Sequence, residues 1–178
     1  MCEWTESEAL RVHMETVAAC MGHYAKLIAP DEEERWRVAG ILHDFDYEKH
    51  PSTEEHPFVG VAHLESLGVD EAMRNAILGH ATYSGVARDT PMARCLFACD
   101  ELAGFIMACC KVRPNGIADL APKSVKKKLK VATFAAGVNR DDIALGLEEF
   151  GGDIEIDLTS HVQHCIDGIR DAGFGVED

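Results

Sequence analysis

Apolar residues in this chain fall three or four positions apart along nearly its whole length, and the two-residue alternation of a half-buried strand is almost missing. The first run shows the pattern. Leu10, Met14, Val17, Met21, Tyr24 and Ile28 make one stripe of a helix that a Thr5-x-x-Glu8 capping box would open. Pro30 and Asp31 restart the chain, and the acids at 31–34 suit the positive end of a second helix carrying Trp36, Ala39, Leu42 and His43. Pro51, Ser52 and Thr53 mark a loop. A third helix is expected from about His56 to Leu67, stopped by Gly68, and a fourth from Asp70 to about His80. After a loop from Thr82 to Thr90, Pro91 opens a long apolar helix that reaches about Lys111.

Pro114, Asn115 and Gly116 break the chain again. Beyond them the pattern predicts a short basic helix (Ser124 to Val131), a helix from Asp141 to Phe150, a Gly151-Gly152 turn and a last helix near Leu158 to Gly173. Ile154-Glu155-Ile156 is too short to count as a strand. The expected fold is all-α. With 178 residues, no internal repeat and no linker, the expectation is one helical domain over residues 1–178. A domain of that size hides about 70% of its unfolded surface, so its core needs neither metal nor disulfide. A metal must therefore be argued from chemistry.

Charge narrows the function. The chain has 17 Lys+Arg against 31 Asp+Glu, a formal net charge of −14. That field repels a phosphate backbone, so no nucleic-acid partner is expected, and a phosphorylated substrate would need local positive charge. No stretch approaches the ~18–20 apolar residues of a membrane span, so no membrane partner is expected either. The seven cysteines include no Cys-x-x-Cys pair, and most lie in apolar helical runs, which reads as reduced, buried thiols. The segment from Met1 to Glu6 lacks the basic start and apolar run of a signal peptide. A cytoplasmic protein is the expectation.

The informative residues are polar ones on apolar faces. Asp100 has Leu96, Phe97, Ala103 and Gly104 three and four residues either side, which places its carboxylate on the buried face of its helix. A buried ionised carboxylate costs several kcal/mol unless it is paired with a cation or a metal. His43-Asp44 ends the second helix, where adjacent side chains can converge on one ion. His13 flanks the stripe of the first helix, His80 follows Met73, Ala76 and Ile77 on one face of the fourth, and His56 opens the third. Taken singly, each has an ordinary explanation as a satisfied core histidine, an ion-pair partner or a cap. Taken together they put imidazoles and carboxylates at the edges of four apolar faces, and that donor set suits Zn, Fe, Mn or Ni. Two carboxylates with four histidines can hold two ions.

In that order the residues resemble the H…HD…D signature of the HD superfamily of metal-dependent phosphohydrolases: His13, His43-Asp44, Asp100. His56-Pro57-x-x-Gly60 and Ala76-Ile77-Leu78-Gly79-His80 are similar to the two further histidines of its binuclear members. The resemblance covers about residues 8–112, the expected metal-binding core, with a helical extension over 113–178. The segments Val112-Arg113-Pro114, Lys123 to Lys128 and Phe134 to Arg140 look like a small bacterial subgroup of predicted HD hydrolases.

The resemblance implies a first divalent transition metal (Fe, Mn, Zn, Ni or Co) on His13, His43, Asp44 and Asp100. Asp44 would bridge to a second ion on His56 and His80. It also implies hydrolysis of a phosphate ester or anhydride, in a nucleotide or other small phosphorylated metabolite, by metal-activated hydroxide. Asp44, Asp46 and Lys49 are the expected catalytic residues, although Lys49 falls two positions later than the lysine of the HD-x-G-K form. Asp46 is a candidate to orient a ligand histidine or the nucleophile. Lys126, Lys127, Lys128 and Lys130 are candidates for a phosphate funnel, and Arg113 and Arg140 for phosphate clamps. His23, His50 and His63 are placed outside the site, and His161 and His164 on the surface.

Six-ligand HD enzymes that cleave dinucleoside tetraphosphates keep the same ligand order. Two other classes remain open: an HD-type di-iron oxygenase acting on a small polyol or phosphonate, and a non-catalytic HD sensor module.

Overall fold

The computed structural model describes residues 3–176, and these contain helices and turns without a strand. The first helix, α1, spans Glu8–Ile28. Ser7 caps it, its hydroxyl oxygen accepting from the Leu10 N–H. The sequence favoured Thr5 for that role. Thr5 is instead fully buried, and its hydroxyl donates to the Phe45 carbonyl at 2.9 Å, tying the segment before α1 to the turn after the second helix. A 3-10 turn over Pro30–Glu32 leads into α2, Glu33–Leu42.

The third helix, α3 (Phe58–Ser66), starts two residues later than the spacing suggests, leaving His56 in a turn. Helix α4 (Glu71–His80) is capped by Asp70, and α5 (Pro91–Cys110) by Thr90, each through the N–H three residues on. Then follow α6 (Pro122–Leu129), α7 (Arg140–Phe150) and α8 (Leu158–Asp171), the last opened by a capping box of Asp157 and Ser160. α6 begins at Pro122, ahead of the basic run, because a proline without an N–H costs nothing in a first helical turn.

Helices α1 and α5 pack together at the centre. α2 and α8 lie against α1, and α4 and α7 against α5. The shared core includes Met14, Val17, Tyr24, Leu96, Leu102, Phe105, Ile106 and Ile166, all with no exposed surface. Burying each large apolar side chain is worth about 1.5–3 kcal/mol, which outweighs the weak propensity of the shorter helices. At Gly40 a Cβ would lie 2.6 Å from Ala18 Cα, so only glycine lets α2 approach α1 this closely. That crossing seats the end of α2 beside α1.

The cysteines at 20, 95, 99, 109, 110 and 165 are buried free thiols, and Cys2 lies outside the described residues. No helix among the described residues is long and apolar enough to cross a membrane.

Two histidines on α8 correct the sequence reading. His161 is fully buried and His164 half-buried, not superficial. His161 shares a face with Cys165, one turn on, and both of its ring nitrogens are satisfied inside the core. Its Nε2–H donates to the Ala98 carbonyl at 3.0 Å, and its Nδ1 accepts the Tyr24 hydroxyl at 2.6 Å. Burial without a neighbouring carboxylate pushes the imidazole down to about 4, so it is neutral. His164 meets His23 at 3.0 Å, nitrogen to nitrogen.

Candidate metal centre

Six side chains far apart in the sequence converge at one place. His13 comes from the second turn of α1, His43 and Asp44 from the turn that ends α2, and His56 from the turn before α3. His80 is the last residue of α4, and Asp100 comes from mid-α5. They form two groups whose ligand atoms lie within 4.8 Å of one another: His13, His43 and Asp100 in one, Asp44, His56 and His80 in the other.

In the first group His13 Nε2 is 3.0 Å from Asp100 Oδ1, and His43 Nε2 is 3.4 Å from the same oxygen. In the second, His56 Nε2 and His80 Nε2 lie 3.3 and 3.2 Å from Asp44 Oδ1. The other oxygen of Asp44, Oδ2, faces the first group, 3.7 Å from His13 Nε2 and 3.6 Å from His43 Nε2. Asp44 thus divides its two oxygens between the groups.

The chain fixes which nitrogen each ring presents. His43 Nδ1–H donates to the Gly40 carbonyl at 2.7 Å, and His80 Nδ1–H to the Ile77 carbonyl at 2.5 Å. Both carbonyls belong to last turns of helices, where no backbone N–H is left to bond them. A histidine three residues on satisfies that orphan and is oriented by it. His56 has no such helix end. Its Nδ1–H donates instead to Asp46 Oδ1 at 2.7 Å, and Asp46 Oδ2 accepts the Gly60 N–H at 2.7 Å. A Cβ on Gly60 would sit 2.7 Å from that carboxylate, so glycine is needed for the approach. In all three rings the Nε2 lone pair is left facing the shared centre.

This donor set fits divalent transition metals. It offers imidazole Nε2 and carboxylate oxygen, with outward N–H groups anchored as metal-ligating histidines usually have them. The electrostatics agree. Burial opposes a charge on His43, yet Asp44 and Asp100 outweigh it and hold the imidazole up at about 9. His56 is held at about 9 by Asp44 and Asp46 against the same opposition. Burial would raise the Asp44 and Asp100 carboxyls, but the histidines around them keep both well below the usual range. The pocket attracts positive charge, and protons compete for the atoms that a metal would use.

Other candidates lie elsewhere. Asp46 is buried behind His56 and reaches the centre only through it. Lys49 Nζ donates to the Glu3 carbonyl at 2.7 Å and rides over the Trp4 ring. Arg113 is paired with Asp119. Arg140 donates to the carbonyls of Phe134, Ala135 and Val138, folding the loop ahead of α7. Lys126 donates to Thr159, and Lys128 lies over Phe134.

The centre opens into a cavity of about 390 Å³ whose further walls include Tyr47, Tyr83, Glu101, Asn139 and Asp142. The sequence reading passed over these residues. Glu101 carries the one local signal, as the neighbour of Asp100. Asn139 and Asp142 arrive with α7, which packs on α5 through contacts that no local pattern announces. Burial and the nearby Asp100 carboxylate push Glu101 up to about 7.

The HD domain family matches residues 11–104, from α1 to mid-α5, and that span includes all six converging residues. No curated protein and no solved structure matches the chain. With over half its length matched and the H…HD…D residues gathered at one centre, the chain belongs to the HD domain family.

Proposed function

We propose that the chain is a phosphohydrolase with a binuclear metal site, acting on a small phosphate ester. One observation carries the reading: Asp44 turns one oxygen toward His13 and His43 and the other toward His56 and His80. A carboxylate so placed would be shared between ions held by the two groups. His13, His43, Asp100 and Asp44 would hold one, and Asp44, His56 and His80 the other. Such ions, when bound, neutralise phosphoryl oxygens and make a water nucleophilic near neutral pH.

The protein's own part is orientation. Gly40, Ile77 and Asp46 hold three imidazoles with their lone pairs inward, and Gly60 holds Asp46. In the reaction a water oxygen bonds to phosphorus and the phosphorus–oxygen ester bond breaks, the water's proton ending on the leaving alcohol. Lys49 has no place in this reading, because its ammonium is engaged at Glu3 and Trp4.

The test is metal analysis of purified protein together with phosphate release from a panel of phosphorylated metabolites, before and after chelation. The expected result is about two transition-metal ions per chain and phosphate release that chelation abolishes and Mn²⁺ or Co²⁺ restores. Substrate-dependent oxygen uptake without phosphate release would replace the reading with di-iron oxygenation. A folded chain that takes up no metal would end both.

A further inference from the structure

Five of the six donors, all but His43, line the cavity, and the other residues around it add a different chemistry. Glu101 and Asp142 supply carboxyl groups there, and Tyr47 and Tyr83 supply half-exposed rings. Among the described residues no lysine or arginine lines the cavity. Three basic side chains of the molecule are committed elsewhere. Arg88 is held by the Glu149 carboxylate at 2.5 and 2.6 Å, Arg140 by three loop carbonyls and Lys49 by Glu3.

The acids are held in place and only partly used. Glu101 Oε2 accepts the Asn139 N–H at 3.1 Å, and Asp142 Oδ2 accepts Asn139 Nδ2–H at 2.7 Å. Each therefore keeps one oxygen for a donor in the cavity. Positive charge can be supplied at the metal end alone, enough for a single phosphoryl group.

On the phosphohydrolase reading, we propose that the substrate is a phosphate monoester of an uncharged, hydroxyl-bearing alcohol (a nucleoside or polyol monophosphate). Glu101 and Asp142 accept hydrogen bonds from its hydroxyls, and the tyrosine rings lie against its carbon framework. The same wall rejects nucleoside triphosphates and dinucleoside polyphosphates. Their additional phosphates would lie beside carboxyl groups with no cation to neutralise them.

The experiment compares kcat/KM for cleavage, read by chromatography of the products, of adenosine 5′-monophosphate and glycerol phosphate with that of ATP and diadenosine tetraphosphate by metal-loaded full-length protein. The expected preference for the monoesters is at least about tenfold, the size of one partly screened like-charge contact. Asp142→Lys, in the first turn of α7, should narrow that preference several-fold with metal content unchanged. Glu101→Gln, which keeps the bond to Asn139, should narrow it less.

Polyphosphates cleaved as well as monoesters by the unaltered protein would overturn the proposal. So would a preference that a folded, metal-loaded Asp142→Lys protein leaves unmoved. Absence of cleavage of either class, with metal bound, would instead overturn the hydrolase reading on which the proposal rests.

Discussion

His43 and His161 are both fully buried, yet the molecule drives them in opposite directions. His161 faces a carbonyl and a tyrosine hydroxyl, and burial pushes it down to about 4. His43 has two carboxylates within 3.6 Å, and they hold it at about 9 in spite of burial. The difference teaches that burial does not by itself mark a structural histidine. Its neighbours decide whether the ring closes a hydrogen-bond network or stands ready to give its lone pair to a cation.

The sharpest way to break this comparison is to remove the centre of one region and the ring of the other. Asp44→Ala takes away the carboxylate that faces both ligand groups. Metal content should fall to near zero and metal-dependent activity should vanish, with the helical circular dichroism spectrum retained. His161→Ala should do the reverse, keeping its metal but losing about 2–5 kcal/mol in denaturant unfolding, because it leaves a cavity and an unpaired Tyr24 hydroxyl. Metal retained by Asp44→Ala, or lost from folded His161→Ala, would dissolve the distinction.

Next in size is the response to pH, where the two regions act with opposite sign. His161 has a lowered folded-state pKa, so the unfolded chain binds the extra proton between about 6.5 and 4. Stability should fall as pH drops through that window, by about 3 kcal/mol for this ring. His43 and His56 have raised values, so in chelated protein their contribution is complete below 6.5 and disappears as pH rises toward 9. Metal loading should reverse that alkaline loss, since ions displace protons and bind more tightly as pH rises through the same window. Melting temperatures of chelated and metal-loaded protein from pH 4 to 9 would show it. Parallel curves would contradict the assignment.

The finest test separates the two ligand groups. Asp46→Asn weakens the hold on His56 alone, and an outer partner of this kind is worth about 10–100-fold in metal affinity. Titration should show one weakened and one unchanged metal-binding event. Equal weakening of both would mean that Asp46 acts on the whole centre.

Much of this was legible in the sequence, for identifiable reasons. Helical periodicity and the Pro and Gly breaks located the eight α-helices of the described residues. The six converging residues were visible because polar side chains interrupt apolar stripes at expensive positions. The Thr5 cap was misplaced because Thr5 and Ser7 both suit the position, and only the Phe45 carbonyl chooses between them. His161 was misplaced because its partners, Tyr24 and Ala98, lie 137 and 63 residues away.

By itself, then, the sequence determined which segments are helical and which polar residues demand an explanation, since both depend on near neighbours along the chain. The tertiary structure decided what lies on the far side of each ring. It split Asp44 between two groups, put Asp46 behind His56, turned Lys49 away, and brought Asp142 of α7 to the cavity that the donors line. Those outcomes depend on how helices cross, and residues that meet across a crossing carry no record of each other in local spacing.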